Sequence, residues 1–202
     1  MKIAVYGATG MVGSRLVTEA LSRGHQVTAV SRKGSEVPGT TAVAAELGDT
    51  ATFTRLAGEN DAVLIAVPTP RNGDAHEPLL QAHRDLIAAQ PDARIFVVGG
   101  AGSLQADPNT LLLEAPGYPQ MYLAEALSCL AILDLYRAAP EGVDWTVQSP
   151  APEIAPGERT GKYTVEGDTI AGPFISAEDF AVAALDELET PKFRRARFNA
   201  AN

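Results

Sequence analysis

The stretch "GATGMVGSRL", residues 7–16, decides how the chain is read. It follows the apolar run "KIAVY" (2–6) directly, and its glycines Gly7, Gly10 and Gly13 stand three apart as a helical pattern begins. A residue without a side chain lets the chain turn sharply, lets the backbone approach a bound group, and lets the next helix pack closely on the strand. The amides that open such a helix have no partner of their own and, with the helix dipole, favour an anion. Strand, three glycines, helix and second strand in this order predict a turn that binds a dinucleotide through its pyrophosphate, although the spacing is G-x-x-G-x-x-G rather than G-x-G-x-x-G.

Outward from that turn, short β-branched runs alternate with helical ones. "QVTAV" (26–30), "TAVAAE" (41–46), "AVLIAV" (62–67), "RIFVV" (94–98) and "DWTVQS" (144–149) read as further strands, most of them apolar on both faces. Such runs suit a parallel sheet covered on both sides. Helices are expected from Met11 to Arg23, near 50–58, 75–90 and 119–138, and after "SAED" (176–179), a capping-box pattern. The expected fold is therefore α/β, a Rossmann-like doubly wound parallel sheet flanked by helices, in a single domain spanning 1–202. Residues 150–175 are rich in Pro and Gly and read as an insertion over one end of the sheet, on the substrate side. The closing stretch "KFRRARFNAAN" (192–202), where Phe193, Arg195 and Arg197 alternate imperfectly with Arg194, Ala196 and Phe198, reads as a late edge strand.

Composition narrows the partners. Of the 202 residues, 25 are acidic and 16 basic, giving a net charge of −9 and a pI of about 4.8, the opposite of what a nucleic acid or an anionic membrane attracts. The expected partner is a small molecule, with no nucleic acid and no membrane, and the expected location is the cytoplasm; oligomeric state is not read. The single cysteine, Cys129, falls among Leu127, Leu130 and Leu133 and reads as a core residue. His25, His76 and His83 are too scattered to suggest a metal; His76, just beyond the fourth strand, is left unassigned.

The second strand runs into "VSRKG". An NAD-binding chain places a carboxylate about 20 residues past its glycines, on the ribose 2′-hydroxyl. Here Ser31, Arg32 and Lys33 offer a hydroxyl and two cations, which favours NADPH over NADH. Asp49 reads as an adenine contact or as the cap of the helix starting near Thr50. Ala66, Val67 and Pro68 close the fourth strand and Gly99 and Gly100 the fifth. Both lie at the carboxyl edge, where ligands bind in open α/β sheets.

With these motifs, and with "DWTVQSPAPEIAPGERTGKY" and "ISAEDFAVAALDELE" further on, the chain resembles the atypical short-chain dehydrogenase/reductases. The resemblance is to the small NAD(P)H-binding proteins related to NmrA and named as NADH-flavin reductases, and it covers nearly the whole length. It implies that Thr9, Gly10, Met11 and Val12 line the pyrophosphate, that Arg32 meets the 2′-phosphate and Asp49 the adenine, and that Ser149, Pro150 and Ala151 flank the nicotinamide. FMN or FAD is the implied second substrate.

Most short-chain dehydrogenases protonate their product with Tyr-x-x-x-Lys. Four positions after Tyr6, Tyr118, Tyr122, Tyr136 and Tyr163 stand Gly10, Tyr122, Ala126, Pro140 and Gly167, so that dyad is absent. Related small proteins often carry a lysine directly after the tyrosine of the following helix, and Leu123 stands there instead. Hydride transfer to a flavin tolerates this loss, because the flavin supplies the electronics. Ser103 and Tyr122 are the catalytic candidates, with Tyr118, Arg159 and Lys162 behind them. The expected function is an NADPH-dependent oxidoreductase acting on free flavin or another flat conjugated acceptor; the alternatives are a non-catalytic redox sensor of NmrA type and, last, a sugar-nucleotide epimerase.

Overall fold

The computed structural model describes residues 1–70 and 76–202. Seven strands lie parallel in one sheet: β1 (Lys2–Tyr6), β2 (Gln26–Ser31), β3 (Thr41–Ala44), β4 (Ala62–Ile65), β5 (Arg94–Val98), β8 (Trp145–Ser149) and β12 (Ala196–Ala201). The eighth, β10 (Thr164–Glu166), joins antiparallel to β12, giving the order β10-β12-β8-β5-β4-β1-β2-β3. Two small pairs stand apart, the hairpin β6 (Gln105–Asp107) with β7 (Thr110–Leu111), and β9 (Glu153–Ala155) with β11 (Phe174–Ser176). From β1 the chain steps outward to β2 and β3, then returns to place β4 on the other side of β1. The crevice left by that reversal is where the carboxyl edge opens.

Among the described residues five α-helices cover the two faces: α1 (Met11–Ser22), α2 (Thr50–Glu59), α3 (Glu77–Ala88), α4 (Leu123–Arg137) and α5 (Ala177–Glu189). The alternating side chains of each strand feed two separate cores. Ile3, Val5, Leu64, Phe96 and Phe198 point to the α1/α5 face, and Ala4, Tyr6, Val63, Ile95 and Trp145 to the face of α2, α3 and α4. The expected helix near 75–90 is observed as α3, its residue 75 lying outside the described residues. Among the described residues no helix is long and apolar enough to cross a membrane.

Three expectations need correction. The late strand β12 is not an edge, because β10 covers it, so its residues are buried from Arg197 to Ala201. Residues 150–175 do not simply roof one end of the sheet. Part of them becomes β10, and residues 157–163 form a strap across the outer sides of α1 and α5. Arg159 grips Glu19 of α1 with two bonds of 2.7 and 2.8 Å, and the Gly157 amide donates to Glu178 of α5 at 2.7 Å. Finally, "SAED" supplies only half a capping box. Ser176 Oγ accepts from the Asp179 amide at 3.0 Å, but the buried Asp179 carboxylate turns to the amides of Thr160 and Gly161, 2.9 and 2.8 Å away, and to Asn202 at 2.6 Å.

Candidate functional site

The turn after β1 shows what each glycine does. Gly7 has φ +76°, and a Cβ there would lie 2.3 Å from the Ala66 carbonyl oxygen; one on Gly13 would lie 2.0 Å from the Gly7 oxygen. Those two are required by the fold itself, one for the turn against β4 and one for seating α1. Gly10 is different. Its Cβ would meet only the Gly7 oxygen, at 3.3 Å, and it is exposed at the N-cap of α1 with no side chain capping the helix. The first turn of α1 carries no acidic residue, and the amides of Met11 and Val12 open it where the surface is accessible to an anion, with Gly13 buried behind them. Thr9 and Met11 are exposed beside them.

Ser31 closes the turn after β2 by accepting the Ser35 amide on its hydroxyl at 2.9 Å. That turn presents Arg32 and Lys33 to solvent, and neither side chain bonds or pairs with another described residue. Asp49 caps α2, accepting from the Thr52 amide at 3.0 Å and its hydroxyl at 2.6 Å. The Thr52 hydroxyl and amide hold its carboxyl below the usual range. Beneath it, burial pushes the Tyr6 phenol up to about 12, reinforced by the Asp49 charge, and that hydroxyl has no partner.

On the other side of β1, the strand ends are small. Ala66 hydrogen-bonds back to Tyr6, Val67 is half-buried, Pro68 is exposed, and the next residue, Thr69, is buried with an unpartnered hydroxyl. Gly99 leaves room for Ser149 Oγ, which would lie 3.3 Å from a Cβ there, and Gly100 is pressed against Cys129 of α4. Ser149 is 1% exposed and its hydroxyl also has no partner, while Pro150 and the buried Ala151 continue beyond it. Buried polar groups are nearly always satisfied, so orphans at one sheet edge mark a place shaped for something else to bond.

The catalytic candidates separate. Ser103 is buried in a helical turn, Ala101–Ser103, and accepts from Arg197 of β12 at 2.9 Å; Arg197 is itself paired with Asp168. Its hydroxyl thus ties the segment after β5 to the far side of the sheet. Tyr122 is 43% exposed at the N-cap of α4. Tyr118 is half-buried, its hydroxyl near Gly102, and burial pushes the phenol up. Arg159 is committed to Glu19 in the strap, and Lys162 is exposed beside it. His83 is a core residue whose Nδ1 meets the Tyr136 hydroxyl at 2.9 Å, and burial lowers it to about 4. Sequence reasoning missed the pairing of His76 with Ser128 of α4, whose only signal was the place of His76 just past the fourth strand. Among the described residues no His, Cys, Asp and Glu cluster could hold a metal.

Two shallow depressions lie elsewhere, one around Met1, Lys2, Gln26 and Asp61 at the amino edge and one around Lys162, Pro173 and Asn202; neither includes the glycine turn. Residues 7–191 match the sequence profile of a family described as NAD(P)H-binding. The chain belongs to that family. An uncharacterized protein of Bacillus subtilis (strain 168), YwnB, is 36% identical over 98% of this chain and 97% of its own. A Burkholderia pseudomallei structure, provisionally named an exported protein, superposes with a TM-score of 0.89 at 37% identity over 100% of both chains. A Streptococcus pneumoniae structure provisionally named an NADH-flavin reductase has a TM-score of 0.84 at 31% identity, over 100% of this chain and 99% of its own. The open Gly10 and uncapped α1 fit the pyrophosphate of such a cofactor.

Proposed function

We propose that the protein is an NADPH-dependent oxidoreductase that passes a hydride to free flavin or another flat conjugated acceptor, in the cytoplasm. One observation carries the reading: beside β1 the carboxyl edge is floored by Ala66, Gly99 and Gly100 and ends in the buried, unpartnered hydroxyl of Ser149. Small residues and one unpartnered polar group at a strand end suit a flat ring bearing an amide. When bound, the reduced nicotinamide supplies the hydride. The residues of this chain orient it: the α1 amides hold the pyrophosphate, Ser149 meets the amide group, and the small floor lets a second flat ring stack above. The likeness to a chain provisionally named an NADH-flavin reductase supports the acceptor class.

Arg32 and Lys33, exposed and unpaired at the end of β2, support the preference for NADPH. Arg32→Glu is expected to weaken NADPH binding about 10- to 100-fold, or about 1.4 to 2.7 kcal/mol, with NADH affinity changed by less than about twofold. Equal losses for both, in a fluorescence titration, mean that the arginine does not read the phosphate. The reaction itself is tested by anaerobic loss of dihydronicotinamide absorbance with FMN as acceptor. Turnover faster with NADPH than NADH is the expected result; tight binding without turnover points instead to a sensor.

A further inference from the structure

His76 opens α3 and lies against the second turn of α4, where its Nδ1 meets the Ser128 hydroxyl. Ser128 is buried, and its Oγ also stands 3.0 Å from the carbonyl oxygen of Ala124. A hydroxyl has one proton to donate and a carbonyl can only accept, so with that proton given to Ala124 the Oγ lone pairs face His76. In that arrangement Ser128 Oγ accepts from His76 and Nδ1 carries the hydrogen. This is the reverse of a serine nucleophile and its base, in which the hydroxyl donates to the imidazole. The other ring nitrogen is Nε2. That atom has no partner among the described residues, and the side chain is only partly buried.

The placement matters as much as the tautomer. Cys129, the helical neighbour of Ser128, is the residue against which Gly100 packs, a Cβ on Gly100 falling 2.9 Å from the Cys129 Cβ. Gly100 follows β5, and α3 starts after the chain leaves the end of β4. His76 thus stands at the carboxyl edge on the β4–β5 side.

We infer that His76 Nε2 is the proton donor to the acceptor as it is reduced, with Ser128 as the positioning residue that fixes the ring; this rests on the oxidoreductase reading above. The acceptor gains a hydride, two electrons and one hydrogen, from the reduced nicotinamide. The electron pair displaced onto a ring heteroatom takes the Nε2 proton, so that an N–H bond of the imidazolium breaks and a new bond to hydrogen forms on the acceptor. The ring is left neutral until water returns a proton.

The test uses His76→Asn, whose side-chain amide keeps the hydrogen bond to Ser128 but has no proton to transfer. With NADPH and FMN, kcat is expected to fall about 100-fold or more while KM and the NADPH Kd move by less than about twofold. Free imidazole is expected to restore part of the rate to His76→Ala. Without any ligand, nitrogen NMR of the imidazole is expected to show hydrogen on Nδ1 and titration at Nε2. A neutral ring protonated only on Nε2, or a His76→Asn variant that keeps the wild-type kcat, overturns the assignment and leaves the oxidoreductase reading standing. A wild-type chain that binds NADPH and reduces no FMN overturns that reading and the assignment with it.

Discussion

The glycine turn at the start of α1 and the strap across its outer side are held by different forces. The turn is made of main chain. Gly7 and Ala8 both donate to the Val30 carbonyl, Gly10 donates to Gly7, and two missing side chains make the fit possible. The strap is made of charge. Glu19, Glu178, Asp179 and Asp186 receive Arg159, Gly157, Thr160 and Tyr163 in turn, and the Tyr163 ring also packs against the core of that face. A region of the first kind fails when an atom is added, and one of the second kind when a charge is removed.

The sharpest way to break this contrast is to add one methyl group. Gly13→Ala forces a carbon to 2.0 Å from the Gly7 oxygen. It is expected to cost about 3 kcal/mol or more, at the upper end for overpacking, and to abolish NADPH binding. A melting curve with and without NADPH checks both, and a variant that still binds shows that α1 can shift without losing the site.

Acid comes next. His83 titrates at about 4 in the fold against 6.5 unfolded, so the unfolded chain binds the extra proton between these values. Global stability is therefore complete above pH 6.5 and falls by ~3 kcal/mol as the pH drops to 4, a slope that chemical denaturation reads and that His83→Asn removes. Against that background the strap has its own loss. Arg159 holds the Glu19 carboxyl below its usual range, and for Glu178 burial is outweighed by the Gly157 amide and Arg15. Depressed carboxyls stabilise above their unfolded value and cease to as the pH falls through the folded one. The Gly157 amide is expected to lose exchange protection in acid before the bonded amides of Gly7, Ala8 and Gly10, in a segment with no ionisable side chain.

The smallest effect is expected from Arg159→Met. Arg159 is half exposed and Glu19 keeps Arg23 at 2.8 Å, so the loss is no more than about 1 kcal/mol, with the NADPH Kd unchanged. A shifted Kd means that the strap reaches the cofactor side after all.

The same contrast explains what the sequence discloses. The glycine spacing and the apolar runs are local signals, and β1, β5 and the start of α1 fall on the expected residues. Asp49 as a helix cap was legible because its partner Thr52 is three residues away. The strap was not, because Arg159 and Glu19 are 140 residues apart and no local pattern announces such a pair. The burial of β12 escaped for a related reason: whether a strand is an edge depends on where a distant segment, here β10, comes to rest. Ser103 looked available from its neighbours alone, and its bond to Arg197 joins residues 94 positions apart. His76 was visible as a residue but not as a paired one.

The packing of α1 along α5 joins the first helix of the chain to the last, and with β12 behind them they complete the core of that face. During synthesis from the amino end, the glycine turn therefore emerges early but waits for residue 189 before α1 has its partner. Contacts of such long sequence separation slow folding, because the loop between them must close before they stabilise anything. The glycine turn is among the first parts of this molecule to be made and among the last to be secured.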